Sequence, residues 1–193
     1  MVVGDRAVHG WNPQRLAELL GVRYEPPPRL PPAELARRLD AVLAAAQRAV
    51  AQVPAGAFER KVPGRDRTAR ELAHHIFRLS LAFCQALDEG QLARAWLDEP
   101  PPPELRDGAA LAAYGGEVRA ALAARLPQAV ARTDAIETPY GTQRVPELLE
   151  RTAWHAAQHL RQLYALLGEA GVAPDRPLTE AELAGLPLPE ALW

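Results

Sequence analysis

Residues 148–163 read LLERTAWHAAQHLRQL and carry the clearest helical pattern in the chain. Apolar residues recur every three or four positions, which is the spacing of one buried face of an α-helix. His155 and His159 stand four positions apart, so their imidazole rings project from the same face one turn apart. They lie at one edge of the apolar arc, where an unpartnered ring would cost free energy to desolvate. The pattern predicts a long helix with two inward histidines.

A His-x-x-x-His spacing is by itself a weak signal, because many exposed helices carry it by chance. A second predicted helix strengthens it, since His75 shares a stripe with apolar residues, whereas His74 falls on the polar side. The apolar members of that stripe are Leu72, Ile76, Leu79, Phe83 and Ala86. We expect His75 to point inward and His74 to be solvated. The alternative for His75 is a core histidine satisfied by a hydrogen bond, but one metal ion would satisfy three inward rings together.

His75, His155 and His159 are therefore predicted to bind one divalent metal. Three neutral nitrogens leave the fourth position of such a site open to water or substrate. Imidazoles suit several metals, so the ligand type does not identify the ion. Zinc is our default because it accepts a tetrahedral three-histidine site, and nickel, iron and manganese are alternatives. No catalytic or cofactor-binding residue is predicted beyond these ligands.

For the other side chains near the predicted ligands, we expect packing, contact or orienting roles and not a direct part in catalysis. Cys84 fits a small packing residue better than a nucleophile. Trp154 is predicted on the outer face of its helix, as a contact between helices or subunits. Gln162 falls on the ligand side and is expected to orient His155 or His159. Nearby arginines are expected to be solvated, with binding of a substrate carboxylate as the alternative. These arginines are Arg78, Arg151 and Arg161.

Outward from residues 148–163, four long amphipathic helices are predicted, at about 32–53, 69–87, 109–131 and 146–168. Thr68 and Glu71 form a Thr-x-x-Glu capping box before the second helix, and Pro146 suits the first turn of the fourth. A short helix is expected around 91–97, a turn within 133–143, and a Pro-rich tail from 171 with at most one helical turn at 180–184. This pattern predicts an all-α fold, a four-helix bundle.

The leader, residues 1–32, differs from the rest of the chain. Val2-Val3 and Ala7-Val8-His9 read as two short strands around a turn at Gly4-Asp5-Arg6. Asn12 and Pro13 then open a short helix that stops at Gly21, and a Pro-rich connector follows. His9 is expected on the surface of the hairpin. We therefore divide the chain into a hairpin, helix and linker appendage at 1–32 and a bundle with its tail at 33–193.

Composition narrows the function further. The 193 residues are 48% hydrophobic and 24% charged with a net charge of −2, so no strong field would attract nucleic acid or an anionic membrane. Apolar runs are too short for a membrane span, and residues 1–4 do not begin a signal peptide. The single cysteine excludes an internal disulfide and fits the cytoplasm. We expect a small-molecule substrate, no nucleic acid and no membrane partner.

The second and fourth helices resemble the motifs of the DinB/YfiT superfamily. The segments are TARELAHHI at 68–76 and LLERTAWHAAQHLRQL at 148–163, and the likeness extends over about 33–168. It implies an up-down-down-up bundle, a divalent metal on His75, His155 and His159, and frequently a homodimer. Characterised members of that superfamily include transferases and isomerases that use low-molecular-weight thiols, in which the metal activates the thiol.

Residues 2–12, continuing to Gly21, also resemble the C-terminal hairpin and last helix of a glutaredoxin. The Cys-x-x-Cys motif of that family is absent from the sequence, so this segment cannot itself exchange disulfides. A remnant of a fused thioredoxin-like domain would hint at thiol biology. The alternative is a chance hairpin that packs on the bundle.

Two functions from different classes fit these features. The first is a metal-dependent thiol S-transferase, or a related hydrolase or isomerase, that acts on a small electrophile. The second is a non-catalytic, stress-associated bundle in which the metal only ties the second helix to the fourth. A side-chain-filled fourth position would favour the second function, and an open cavity with polar groups would favour the first.

Overall fold

The computed structural model describes residues 2–3, 6–7, 13–25 and 28–193. The described chain is all-α apart from two small hairpins. Its four long helices are α2 (Pro32–Gln52), α3 (Ala69–Glu89), α5 (Gly108–Ala131) and α6 (Val145–Glu169). The shorter elements are β1 (Val2–Val3), β2 (Arg6–Ala7), α1 (Pro13–Leu20), α4 (Arg94–Leu97), β3 (Ala135–Ile136), β4 (Gln143–Arg144) and α7 (Glu180–Leu183).

The ends of the long helices are set by local chemistry. The Thr68 hydroxyl accepts from the backbone N–H of Glu71 and the Glu71 carboxylate accepts from that of Thr68, which confirms the predicted capping box before α3. Gly90 ends α3 with a left-handed φ of 73°. The Asp107 carboxylate caps α5 by accepting from the N–H of Ala110. The predicted bounds of all four helices therefore agree with the structure to within about two residues.

Contacts between the helices define the direction of each one. Gly108 at the start of α5 abuts Val50 at the end of α2, and Arg119 farther along α5 pairs with Asp40 near the middle of α2. Helices α2 and α5 are therefore antiparallel.

Helices α3 and α5 run in the same direction, since His74 stacks on Tyr114 and Asp88 pairs with Arg125. Helices α3 and α6 are antiparallel, because His75 lies beside His159 whereas Phe83 and Leu148 line one small cavity. It follows that α2 and α6 are parallel. This is the up-down-down-up bundle that the sequence resemblance implied.

The core lies along the centre of the bundle and is dominated by Ala, Leu and Phe side chains. Alanine is frequent on the inner face of α2, which lets the neighbouring helices approach it closely. Each fully buried Leu or Phe stabilises the fold by about 1.5–3 kcal/mol relative to an exposed one. The largest buried side chains include Leu39, Leu43, Phe77, Phe83, Leu111, Leu122 and Leu148.

The appendage is described in part. Val2–Val3 pairs antiparallel with Arg6–Ala7, and α1 begins at Pro13 as predicted and gives way to Gly21 with a φ of 66°. The prediction that Arg6 belongs to the turn is wrong, since Arg6 pairs with Val3 as part of β2. The other two turn residues, 4–5, the cap at Asn12 and the surface position of His9 lie outside the described residues.

The segment 133–143, predicted only as a turn, also contains strand pairing. Ala135 pairs with Arg144 and Ile136 with Gln143, and the turn includes Gly141 with a φ of 101°. Strands of two residues are too short to leave a period-two pattern in the sequence, which is why the sequence showed only the turn.

Of the described helices, none is both long and apolar enough to cross a membrane.

Two glycines in the long helices give opposite predictions for substitution by alanine. A Cβ at Gly108 would overlap the Val50 carbonyl oxygen, so the backbone of α2 or α5 would have to shift. We expect Gly108→Ala to lower the free energy of unfolding by about 1–3 kcal/mol, as overpacking does. A Cβ at Gly168 would have no neighbour within 4 Å, and Gly168→Ala should raise stability by up to about 1 kcal/mol through helix propensity.

Urea titration of the two variants beside the unaltered protein, all with a chelator present, measures both changes. Equal stability of the two variants would show that α2 and α5 are not in close contact at Gly108.

Candidate metal centre

Three histidines meet where α3 faces α6. His75 lies in the second turn of α3, and His155 and His159 lie on successive turns of α6. The ring centroids are 5.6 Å apart for His75 and His155, 5.1 Å for His75 and His159, and 4.7 Å for His155 and His159. One nitrogen of each ring lies within 4.8 Å of the others. The three side chains selected from the sequence therefore converge on one point.

Burial makes these three imidazoles weak bases. His75 is only 8% exposed, and burial followed by the nearby His159 and Arg67 holds its pKa well below the usual value. Burial and then His159 do the same for the pKa of His155. Burial lowers the pKa of His159 to about 4, although its bond to Gln162 acts in the opposite direction. All three rings are neutral at pH 7, which is the form that binds metal.

Gln162 fixes which nitrogen of His159 carries the proton. The Gln162 Nε2 donates to the Leu192 carbonyl oxygen at 2.7 Å, so the amide oxygen must be the atom 2.7 Å from His159 Nδ1. That oxygen can only accept, and Nδ1 therefore carries the hydrogen. Nε2 is left with a lone pair, and it is buried without a hydrogen-bond partner in the described part of the chain. The predicted orienting role of Gln162 fits this contact.

The donor set suits a divalent cation. Three neutral ring nitrogens on two rigid helices match the ligand type and number of an open catalytic site. The unpartnered Nε2 of His159 is the kind of buried polar atom that a metal ion would satisfy. Two carboxylates line the adjoining cavity, and each has a basic partner: Asp66 pairs with Lys61 and Asp98 with Arg94.

A cavity of about 600 Å³ adjoins the three histidines. Its volume is in the range of small-molecule sites. The walls come from α3, α6, the loop before α3 and the end of the chain. Its lining includes His75, Leu72, Leu79, Tyr140, Arg151, Trp154, His155, Gln158, His159, Gln162 and Trp193. The histidines therefore face open space on one side, and a reactant could reach them.

The last residues of the chain form one wall of this cavity, which the sequence did not indicate. Gln158 Nε2 donates to the carbonyl oxygens of Ala191 and Leu192, and Arg161 donates to that of Pro189. An extended, Pro-rich segment has no internal periodicity, so its position depends on these contacts with α6. The sequence signal that could have indicated this contact is Gln158 and Gln162, which lie one turn apart beside the two histidines and can both bind backbone carbonyl groups.

The prediction that His74 is solvated is wrong. His74 is 2% exposed and stacks on Tyr114 of α5, with 5.4 Å between ring centroids. Burial, and then the positive charge of Arg78, lower its pKa to about 4. The parallel neighbour α5 covers this side of α3, and periodicity within α3 alone could not show it. His74 is not part of the three-histidine cluster.

The outer-face position predicted for Trp154 is also wrong. Trp154 is 8% exposed, stacks on His155 at 5.3 Å and lines the cavity. Residues 189–193 cover a second side of helix α6. A helical pattern that divides the residues of α6 into one buried and one exposed face does not predict this additional contact.

The nearby arginines are engaged rather than freely solvated. Arg78 is 2% exposed and donates to Glu99 at 2.6 Å and to Gln85 at 2.9 Å. Arg151 lies over the ring of Tyr140 at 4.3 Å, and Arg161 holds the last residues of the chain.

Cys84 is buried, as expected of a packing residue, and burial raises the pKa of its thiol to about 11.

Comparison with known proteins supports the fold. The solved structure of YfiT from Bacillus subtilis matches with a TM-score of 0.62 and 16% sequence identity, over 79% of this chain and 96% of that one. YfiT is described as a probable metal-dependent hydrolase with an unusual four-helix bundle topology. No protein-family model and no curated protein sequence matches this chain. At this identity the likeness establishes a shared fold, as the sequence resemblance implied.

The buried histidines predict a pH-dependent stability for the metal-free protein. The folded-state pKa values of His74 and His159 are about 4, against 6.5 in an unfolded chain. Below pH 6.5 the unfolded state therefore binds more protons, and stability that is complete above pH 6.5 is lost as the pH falls. We expect the free energy of unfolding, from urea titrations with a chelator, to decline from pH 7 to 5, by up to about 1.4 kcal/mol per pH unit for each histidine.

The matched control is His74→Phe, which keeps an aromatic ring against Tyr114 and removes one titrating group. Its decline should be smaller. A free energy of unfolding that stays constant over this pH range would contradict the burial of the imidazoles.

Proposed function

We propose that this chain is a metal-dependent enzyme in which His75, His155 and His159 hold one divalent cation. The observation that carries the proposal is that three neutral imidazoles meet at the wall of a cavity of about 600 Å³ and not within a filled core. The reaction proposed is attack by water or a small thiol on a small electrophile. The description of YfiT as a probable metal-dependent hydrolase supports this class of reaction.

The cation would supply Lewis acidity, which lowers the pKa of water or a thiol at the open position. The chain itself supplies orientation. Gln162 holds the His159 ring with its Nε2 lone pair unpartnered, and the indole of Trp154 stacks on His155. Leu72 and Leu79, which share the His75 stripe of α3, and Leu97 give the same cavity an apolar part of its lining.

The cavity also helps to distinguish this proposal from the alternative function, in which the metal ion is structural and only cross-links α3 and α6. A structural ion would be enclosed by its ligands and by packed side chains. Here the three rings border open space lined by polar groups, including Gln158 and Arg151. This arrangement favours turnover over a purely structural role.

The finer features are part of the same proposal. Zinc as the ion and a low-molecular-weight thiol as co-substrate follow from the donor set and from the sequence resemblance. A homodimer is proposed from the sequence resemblance, a cytoplasmic location from the single cysteine, and the division of the chain at residue 32 from the Pro-rich connector.

Metal content tests the ligand assignment. His155→Ala and His159→Ala should each reduce bound metal, measured by elemental analysis after dialysis against zinc, well below one ion per chain. Gln162→Leu leaves the ligands in place but removes the bond that orients His159, so its metal affinity should fall about 10- to 100-fold.

His74→Phe is the matched control, because His74 is the sequence neighbour of a proposed ligand and lies outside the cluster. It should retain one ion per chain. Loss of metal in this variant with full retention in His155→Ala would show that the ligand set is wrong.

Turnover tests the enzyme assignment. The zinc-loaded protein should hydrolyse an activated ester such as p-nitrophenyl acetate, or transfer a thiol such as cysteine to 1-chloro-2,4-dinitrobenzene. Either rate should fall to that of the chelated protein in His155→Ala. The assay that responds decides between hydrolysis and thiol transfer. A protein that binds one ion and accelerates neither reaction would instead fit the structural role.

A further inference from the structure

Arginines line the cavity on the side of the loop before α3. Arg65 and Arg67 lie on that loop, and Arg151 lies on α6. Arg67 immediately precedes Thr68, the cap of the helix that carries His75. These guanidinium groups therefore border the same space as the three histidines.

The loop that carries Arg65 and Arg67 is fixed by its own backbone. The N–H of Val62 donates to the Arg67 carbonyl oxygen at 2.8 Å, and that of Arg65 donates to the Val62 carbonyl oxygen at 3.1 Å. Phe58 and Val62 anchor the loop in the core. Both arginines are thus presented at the cavity from a defined position.

The charges of Arg65 and Arg67 are not held in ion pairs among the described residues. Within residues 13–25 and 28–193, neither Arg65 nor Arg67 forms an ion pair, whereas Arg70 pairs with Glu59 and Arg78 with Glu99. The Arg67 side chain is also half-buried, and burial, the largest cause, lowers its pKa; the carboxylates of Glu71 and Asp98 act against this shift without forming an ion pair, and Arg65 adds to it. A half-buried guanidinium that forms no ion pair favours the binding of an anion.

Arg67 also lies within electrostatic reach of the whole histidine cluster. Its charge contributes to the lowered pKa of His75, His155 and His159, and Arg65 acts on the last two in the same way. A divalent ion with three neutral ligands would keep its full charge. This end of the cavity therefore has an excess of positive charge that an anionic reactant would neutralise.

We propose that the cavity takes a small substrate or co-substrate bearing a carboxylate, which Arg67 binds with help from Arg65 while the reacting group faces the histidines. This assigns a substrate class to the proposed function and rests on it. The guanidinium group suits the task because its planar fork can donate two hydrogen bonds to one carboxylate.

Pairs of thiols that differ only in charge test the proposal. The Co²⁺-loaded protein is titrated with 2-, 3- and 4-carbon ω-mercaptocarboxylates and with the matching mercaptoalcohols, and binding is followed by the thiolate-to-cobalt absorption band. For at least one chain length the carboxylate should bind about tenfold more tightly than the alcohol, as expected for one charge-assisted contact. In Arg67→Gln that ratio should fall to near one.

Arg106→Gln is the matched control, since Arg106 is exposed, lies outside the cavity lining and loses the same charge. Its ratio should equal that of the unaltered protein. Equal binding of carboxylate and alcohol at every length would overturn the carboxylate site, while the cobalt band itself would leave the proposed metal function standing.

Chemical modification gives a readout that does not need the metal. Phenylglyoxal labelling followed by mass spectrometry should show that 3-mercaptopropionate slows modification of Arg67 and leaves that of Arg106 unchanged. Failure to bind cobalt would count against the proposed function alone. Equal labelling of Arg67 with and without the mercaptocarboxylate would count against the carboxylate site.

Discussion

One side-chain amide links the histidine cluster to the end of the chain. Gln162 accepts a hydrogen bond from His159 Nδ1 and donates one to the Leu192 carbonyl oxygen, so its two ends cannot exchange. This fixes the tautomer of His159, leaves the lone pair of its Nε2 without a hydrogen-bond partner in the described chain, and helps to hold the last residues against α6. The orientation of His159 and the position of the cavity wall are thus linked through one side chain, and Gln158 and Arg161 add further bonds to the same wall.

Burying polar imidazole rings costs free energy, and the fold buries these rings at the site where they could bind a metal ion. Imidazoles removed from water need partners, and the bundle provides His159 with one for Nδ1 and with none for Nε2 in its described part. The antiparallel contact of α3 with α6 brings His75 opposite two successive turns of histidine. That contact follows from the up-down-down-up order, which Gly108 assists by letting α5 abut α2 at the backbone.

Electrostatics of the cavity agree with this arrangement. The histidines are neutral, Asp66 and Asp98 have basic partners, and Arg67 is a cation without an ion pair in the described chain. A cation held by neutral nitrogens beside such a guanidinium would favour anionic reactants over neutral ones. The same field disfavours protonation of the rings and so keeps them available as ligands.

By itself the sequence determined the features that depend on short-range order. Helical periodicity and the Thr68–Glu71 capping box predicted the helix bounds. The positions of His75, His155 and His159 along α3 and α6 identified them as candidate metal ligands. Tertiary structure alone decided what covers each helix: Tyr114 over His74, Glu99 against Arg78, and residues 189–193 beside Trp154. The physical reason is that the periodicity of a helix indicates which of its own faces is apolar, and not which other segment packs against that face. The partner comes from a distant part of the chain, and for an extended segment it is fixed only by the surface on which the segment packs.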